Sequence, residues 1–162
     1  MPAKAMTSSI LSILSSSPEE TQILGFHLGE LSEPGDIYVL TGKLGAGKTT
    51  LTQGIARGLG IRENVMSPSF VLIRELKGRL PLYHIDLYRL DKIEEITELG
   101  LDDYLYGQGV SVIEWGEKAG DALPEENLRI ELRYMSDNER EINFKANGTR
   151  YRKLLKQMEK VK

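Results

Sequence analysis

The sequence predicts a single α/β domain in which helices cover both faces of a mixed, mainly parallel sheet. The first observation is an apolar run at 37–40 that leads through a glycine-rich loop into a helical segment. The second is a pair of apolar runs, 82–85 and 110–113, each followed at once by an acid. The third is a pair of alternating segments, 128–134 and 141–145, which predict an antiparallel hairpin added to the sheet.

The composition indicates one soluble domain over 1–162. Of the 162 residues, 40% are hydrophobic and 28% are charged. There is no cysteine, which excludes disulfides, zinc–thiolate sites and cysteine nucleophiles. No apolar run approaches the roughly 20 residues of a membrane span, and residues 8–17 are too short and too polar for a secretory signal. We therefore expect a cytoplasmic protein with no membrane contact.

The N-terminal part predicts a short strand at 10–14 followed by a helix. Ser17 is the expected N-cap, Pro18 the first helical residue, and Glu20 the acid that completes a capping box. The helix continues with leucines spaced for one buried face and stops before a Pro-Gly pair: Leu24, Leu28, Leu31 and Pro34-Gly35.

Residues 42–49 read GKLGAGKT, the G-x-x-x-x-G-K-T pattern of a phosphate-binding P-loop. The strand at 37–40 and a helix expected over 49–59 give this loop its required setting, with Gly58 and Gly60 as the predicted C-terminal stop. Loop amides and the helix N-terminus favour an anion, Lys48 would reach the β- and γ-phosphates, and Thr49 would hold Mg²⁺. The alternative is a glycine-rich turn without a ligand.

We expect the nucleotide to contact the loop and the start of the helix: Gly42, Leu44, Gly45, Ala46, Gly47, Lys48, Thr49 and Thr50.

The middle of the chain predicts a loop, a hairpin and two short helices. The loop at 64–70 includes Ser-Pro-Ser-Phe at 67–70, where many P-loop proteins carry a segment that senses the γ-phosphate; an ordinary proline loop is the alternative. Segments 71–76 and 80–87 predict hairpin strands, 93–106 predicts two helices broken at Gly100, and 109–113 predicts a buried strand.

Two acids can complete a nucleotide site. Asp86 and Glu114 each end an apolar strand, which is where P-loop proteins carry the acid that acts with Mg²⁺, beside the P-loop strand. We expect one of them to coordinate the metal and the other to orient or polarise the attacking water, with Lys48 as the third catalytic group. Either acid could instead cap a loop or pair with a surface arginine, such as Arg89 for Asp86. His84 fits a strand histidine satisfied by a neighbour, and Trp115 fits a packing cover over the site.

The C-terminal segment 149–162 predicts a basic helix. It holds six basic side chains and one acid in a chain of net charge −3, and its expected buried stripe is Tyr151, Leu154, Met158 and Val161. The usual interpretation is a solvated helix face, and the alternative is contact with RNA or an acidic partner. The overall charge argues against a protein that grips nucleic acid over its whole surface.

The motifs together resemble the TsaE family, formerly YjeE. They are the extended P-loop at 42–50, Ser-Pro-Ser-Phe at 67–70, His-Ile-Asp-Leu-Tyr-Arg-Leu at 84–90 and Glu-Trp at 114–115. The P-loop is shared by many NTPases, whereas the latter two motifs, in this order and in a chain of this length, are far more diagnostic. The resemblance covers nearly the whole chain and implies a P-loop NTPase fold.

The TsaE resemblance implies a weak ATPase with ATP and Mg²⁺ as cofactors. It implies partners, TsaD and TsaB, which transfer the threonylcarbamoyl group to adenosine 37 of tRNAs reading ANN codons, with the ATPase cycle thought to reset that machinery. By position, Lys48 and Thr49 match the family's phosphate and metal residues, Asp86 and Glu114 its acidic pair, and Trp115 its tryptophan near the nucleotide. The tRNA would be reached indirectly or through the basic tail.

One position departs from the family pattern. Lys43 stands where the family usually has an acid, and its positive charge would either tighten nucleotide binding or disturb a partner contact. Ser69 replaces a commoner threonine and keeps the hydroxyl.

Two other function classes stay open. A small-molecule kinase usually brings several arginines over the transferred phosphoryl group, and here the arginines before Glu114 are scattered: Arg57, Arg62, Arg74, Arg79 and Arg89. A nucleotide-dependent binding module with incidental hydrolysis is the third class, with the acidic helices of 93–106 as a candidate docking face.

Overall fold

A computed structural model describes residues 4–6, 9–43, 45–65 and 73–161. Its centre is an eight-stranded sheet in the order β1-β2-β8-β7-β3-β6-β5-β4. Strands β7, β3, β6 and β5 are parallel neighbours, and the outer pairings are antiparallel. The strands are β1 Lys4–Met6, β2 Ile10–Ser15, β3 Ile37–Thr41, β4 Ile73–Leu76, β5 Leu82–Asp86, β6 Val110–Glu114, β7 Asn127–Tyr134 and β8 Arg140–Asn147.

Helices cover both faces of this sheet, as the sequence predicts. Because side chains alternate along a strand, Tyr38 and Leu40 of β3 join the core under the first, second and last helices. Ile37 and Val39 join the opposite core, under the two short helices. The helices are α1 Pro18–Leu31, α2 Lys48–Gly58, α3 Ile93–Glu98, α4 Asp102–Leu105 and α5 Thr149–Lys160, with 3₁₀ turns at Gly116–Lys118 and Gly120–Ala122.

The start of α1 is capped as predicted, with one difference. The Ser17 hydroxyl accepts the N–H of Glu20 at 3.1 Å, but the Glu20 carboxylate accepts the N–H of Ser16, at 2.6 Å, rather than that of the N-cap itself. The helix ends at Leu31, before the Pro-Gly pair. A local signal therefore predicts this helix correctly.

The two hairpins and the break between the short helices are also confirmed. β4 pairs with β5 and β7 with β8, and Gly100 has φ +67° between α3 and α4. The predicted start of β4 at 71–72 and the proposed sensing segment 67–70 lie outside the described residues. Strand β1, which pairs with β2, was not predicted.

The helix after the P-loop differs from the prediction at both ends, because it runs over Lys48–Gly58 rather than 49–59. Gly60, with φ +77°, donates its N–H to Arg57 O at 3.0 Å and supplies the stop. The prediction that Gly58 is part of this stop is wrong, because Gly58 is a helical residue pressed against α1.

Four glycines bring α1 and α2 into direct backbone contact. A Cβ built on Gly25 or Gly29 would lie 2.4 Å from Leu51 O or 2.3 Å from Ile55 O, both on α2. A Cβ on Gly54 or Gly58 would lie 2.2 Å from an α1 carbonyl. No other side chain fits without separating the helices, so these glycines set the position of the helix that follows the P-loop.

The C-terminal helix packs through Tyr151, Leu154 and Met158, as predicted, and also through Leu155. Val161 is wrongly predicted as part of this stripe, because it lies past the helix end with extended backbone. Arg150 is half-buried rather than fully solvated, since its guanidinium pairs with Asp36 at 2.7 Å. No described helix is long and apolar enough to cross a membrane.

We expect Gly54→Ala to destabilise the protein by about 1–3 kcal/mol, because its methyl group would collide with the α1 backbone. Alanine is intrinsically a better helix former than glycine by about 1 kcal/mol. The sign of the change in the free energy of unfolding therefore shows whether packing or helix propensity dominates. Urea unfolding measures the free energy, with the exposed Arg57→Ala as a control in the same helix. A Gly54→Ala protein as stable as the parent would contradict the close crossing.

Candidate functional site

The register of the parallel strands brings the loop and the two acids to one edge of the sheet. Leu40 of β3 pairs with Glu114 of β6, and Glu114 pairs with Asp86 of β5. Strand β6, which ends at Glu114, therefore lies beside the P-loop strand β3, as predicted. The same prediction for the strand that ends at Asp86 is wrong, because β5 lies one strand further out.

Glycines shape the loop between β3 and α2. Gly42, Gly45 and Gly47 have φ of +146°, +81° and +104°, a region that other residues rarely adopt. A Cβ on Gly42 would also lie 2.6 Å from Leu132 O of the neighbouring strand. Gly47 is the N-cap of α2 and makes no side-chain cap, so the first amides of this helix keep their capacity for an anion. Leu44 lies outside the described residues.

Lys48 is held beneath the loop that precedes it. Its Nζ donates to Gly42 O at 2.5 Å and to Lys43 O at 2.9 Å, and lies 4.1 Å from the centre of the Trp115 ring. Burial lowers the pKa of Lys48, and the charges of Glu114, Glu117 and Asp86 act in the opposite direction. The ammonium group is thus placed where the loop curls, as phosphate neutralisation requires.

An open cleft of about 230 Å³ lies between the loop and the acids. It brings together eight of the predicted site residues and adds Tyr88, which was not predicted. Gly42 and Ala46 do not line it: Gly42 serves through its carbonyl, and the side chain of Ala46 is buried in the core. The lining residues are Gly45, Gly47, Lys48, Thr49, Thr50, Asp86, Tyr88, Glu114 and Trp115.

The acids and one hydroxyl form one wall of the cleft. Glu114 is 2% exposed, its Oε1 accepts from Thr49 Oγ1 at 3.3 Å, and its Oε2 contacts His84 Nε2. Asp86 is 7% exposed, and its Oδ1 accepts the N–H of Tyr88 at 3.0 Å. His84 is thus paired with a neighbour through Nε2, as expected, but its Nδ1 has no hydrogen-bond partner among the described residues, and the neighbour is the candidate catalytic acid.

This donor set fits Mg²⁺ bound together with a nucleotide. Magnesium usually takes one or two carboxylates, keeps waters and completes its shell with phosphate oxygens. Among the described residues, no group of three or more His, Cys, Asp or Glu side chains could hold a metal ion without such help. Thr49, Glu114 and Asp86 are accordingly suited to a metal that arrives with its phosphates.

Two aromatic rings cover the cleft. Trp115 has φ +59°, an uncommon value for a bulky residue, and its ring lies 5.0 Å from that of Tyr88 at an angle of 42°. Lys118 fixes the Tyr88 backbone by donating to its carbonyl at 2.5 Å. Tyr88 follows Asp86 by two residues, so its place in the sequence could have indicated it.

A further residue that supports the loop, Arg140, was missed. Its Nε donates to Ala46 O at 3.1 Å and its Nη2 to Gly45 O at 3.3 Å, while the guanidinium lies 4.7 Å from the centre of the Tyr134 ring. Arg140 begins β8, and no local pattern connects it with a loop more than 90 positions earlier.

Lys43 is not among the residues that line the cleft. It is exposed and lines an adjoining groove of about 800 Å³, which shares Trp115 with the cleft. Only the Lys43 carbonyl takes part in the loop, as an acceptor for Lys48.

The chain is similar to a known family over most of its length. The family model for "Threonylcarbamoyl adenosine biosynthesis protein TsaE" matches residues 15–142. The tRNA threonylcarbamoyladenosine biosynthesis protein TsaE of Bacillus subtilis is 46% identical over 87% of this chain and 89% of its own length. The Treponema pallidum protein of the same name is 46% identical over 80% of this chain and 96% of its own. The crystal structure of Bacillus subtilis YdiB superposes with a TM-score of 0.79 at 38% identity, covering 98% of this chain and 96% of that one.

We expect Lys48→Ala to weaken ATP binding about 100-fold, because each charge-assisted hydrogen bond to phosphate contributes up to about 3 kcal/mol. Lys43→Ala is the matched control: it removes the same charge from the same loop, but outside the cleft. Calorimetric titration with ATP measures both. Equal losses in the two variants would show that Lys48 contributes only through the net charge of the loop.

Proposed function

The chain belongs to the TsaE family, and from this we propose that it is a weak, partner-activated ATPase of tRNA threonylcarbamoyladenosine synthesis. It acts with TsaD and TsaB in forming the threonylcarbamoyl group on adenosine 37 of tRNAs that read ANN codons. The observation that carries the ATPase part is the cleft itself, in which a P-loop lysine, the helix hydroxyl and two strand-end acids meet.

Each group has a role in hydrolysis. Loop amides and Lys48 bind the β- and γ-phosphates, and Thr49, Glu114 and Asp86 form the wall that would hold Mg²⁺ and the attacking water. When bound, the metal neutralises charge on the phosphate oxygens. Of the two acids, one ligates the metal, and the other orients the attacking water. Trp115 shields Lys48 from solvent, and Gly45 and Gly47 bind phosphate through their backbone.

The charges around the cleft support slow turnover in the isolated protein. Lys48 is the single basic side chain among the described residues that line the cleft. Fast phosphoryl transfer usually needs a further cation near the transferred group, often an arginine supplied by a partner. This shortage supports a low basal rate, and it supports activation by a partner that supplies a cation, the role we assign to TsaD and TsaB.

The same residues argue against a small-molecule kinase. Arg79 donates to the carbonyls of Gly29, Glu30 and Ser32, and Arg74 pairs with Glu63. Arg57 and Arg62 line a separate cavity, and Arg89 is not among the residues that line the cleft. A kinase would require arginines beside the transferred phosphoryl group. Among the described residues between the loop and Glu114, no arginine lines the cleft.

We place this activity in the cytoplasm, where tRNA is modified. Lys153, Lys156 and Lys160 form an exposed basic row on α5. It gives tRNA a point of contact, in addition to the indirect route through TsaD and TsaB.

The deciding experiment measures ATP turnover by the protein alone, with tRNA, and with TsaD and TsaB, beside a pull-down with and without ATP. Stimulation by the two proteins supports the proposal. Phosphorylation of a small metabolite would replace it with a kinase, and tight nucleotide-dependent association without any turnover would replace it with a binding module.

We expect Glu114→Gln to lower turnover about 100-fold while ATP affinity stays within about threefold, because the lost charge serves the metal and the attacking water more than the bound phosphates. Glu117→Gln, the same change at an exposed neighbour, is the control. Steady-state kinetics and calorimetry give the two quantities. A loss of affinity as large as the loss of rate would make Glu114 a binding residue.

We expect Lys43→Asp to alter stimulation by TsaD and TsaB at least about threefold, because an exposed charge beside the loop acts mainly across an interface. ATP affinity of the isolated protein should change less than that. The reverse outcome, altered affinity with unchanged stimulation, would place the Lys43 charge in the nucleotide site.

A further inference from the structure

The fully buried His84 makes one side-chain hydrogen bond among the described residues. Its Nε2 contacts Glu114 Oε2, while its equally buried Nδ1 has no hydrogen-bond partner there. Because a carboxylate only accepts hydrogen bonds, Nε2 carries the hydrogen and donates it. The Glu114 contact is therefore the one hydrogen bond that holds the ring, and Nδ1 is left without a partner among the described residues.

A histidine at position 84 is less favourable for folding than an aliphatic residue would be. Leu82, on the same face of β5, and Val112, which pairs with His84 across β6, are completely buried, and an aliphatic residue would pack there without a polar group. Leaving a buried polar atom unpaired costs about 1–3 kcal/mol, and Nδ1 bears that cost. Packing alone therefore does not account for the residue, whereas its contact with Glu114 does.

The contact between His84 and Glu114 gives the two carboxylate oxygens of Glu114 different partners. Oε2 is held by His84 from β5, and Oε1 faces Thr49 Oγ1 at the start of α2, 3.3 Å away. His84 and Asp86 are two residues apart on one strand, so they project from the same face towards Glu114. With one oxygen held, the carboxylate has a fixed orientation and offers the other to the cleft.

We propose that His84 is a positioning residue, which holds Glu114 so that Oε1 is presented to Thr49 and to the Mg²⁺ of the nucleotide. This inference rests on the proposed function, because it requires that Glu114 serves a Mg²⁺–nucleotide complex. Hydrogen-bond partners behind metal-binding side chains typically change metal affinity or activity 10- to 100-fold when removed.

The test compares three substitutions that differ in where they place a donor. His84→Gln carries an amide N–H at about the reach of Nε2, His84→Asn carries one only at the reach of Nδ1, and His84→Met fills similar space without a donor. Three quantities are measured: the Mg²⁺ concentration that half-saturates the ADP-bound protein, followed by the fluorescence of the single tryptophan, Trp115; ADP affinity in EDTA; and ATP turnover. Thermal unfolding of each variant reports its folded stability.

We expect His84→Met and His84→Asn to raise the Mg²⁺ midpoint about 10-fold and to lower turnover by at least as much, while ADP affinity in EDTA stays within about threefold. His84→Gln should restore most of both losses. A purely structural role predicts otherwise: losses would follow the unfolding temperature, and glutamine would do no better than methionine.

Equal Mg²⁺ midpoints in the parent, Gln and Met proteins would overturn the inference and leave the ATPase proposal standing. A parent protein that binds no nucleotide, or whose ADP complex does not respond to Mg²⁺, would instead overturn the proposed function, and the role of His84 with it. The parent measurement thus separates the two failures.

Discussion

The alignment of three parallel strands is the constraint on which the site depends. Leu40, Glu114 and Asp86 are paired across β3, β6 and β5, so the P-loop and both acids leave the sheet at one level. Both faces of this part of the sheet are buried, and a slip of one residue would turn Glu114 towards the core of α3 and α4. The continuous apolar character of β3 and β6 therefore does more than fill the core, because it fixes the height and direction of the carboxylates.

The loop is held at three places, by the strand that precedes it and by two contacts with distant parts of the chain. β3 fixes its start, the glycine crossing with α1 fixes the helix that follows it, and Arg140 binds the carbonyls of Gly45 and Ala46 from outside. Each contact removes freedom that the loop would otherwise lose on binding an anion. Such preorganised dipoles need little reorganisation when charge develops on a ligand. Folding thus accounts for much of the conformational entropy that is lost in ordering the curled, amide-lined loop, so that less has to be lost when an anion binds.

Local signals in the sequence predict those features that a few neighbouring residues determine. The P-loop pattern, the capped start of α1 and the acids after β5 and β6 are of this kind. Features that depend on two distant segments were not predicted. Gly58 was interpreted as a helix stop, because the sequence near it does not show that α1 packs too closely for any side chain at this position. Arg140 belongs to a strand whose place beside the loop follows from sheet order. His84 was interpreted as a histidine satisfied by a neighbour, but only the fold shows that Glu114 is the neighbour and that, among the described residues, Nε2 alone is paired.

The charges of the site explain why nucleotide and metal belong together here. Two carboxylates and one ammonium group line the cleft, so its own balance is one negative charge, and a triphosphate alone would meet Glu114 and Asp86 at close range. Because the side chains of Lys48, Asp86 and Glu114 are buried, such repulsion is screened less than at the surface. Bound Mg²⁺ would reverse this balance, because it would add two positive charges to the cleft. Little excess positive charge would be left for the transferred group, and the proposed activation by a partner depends on that deficit.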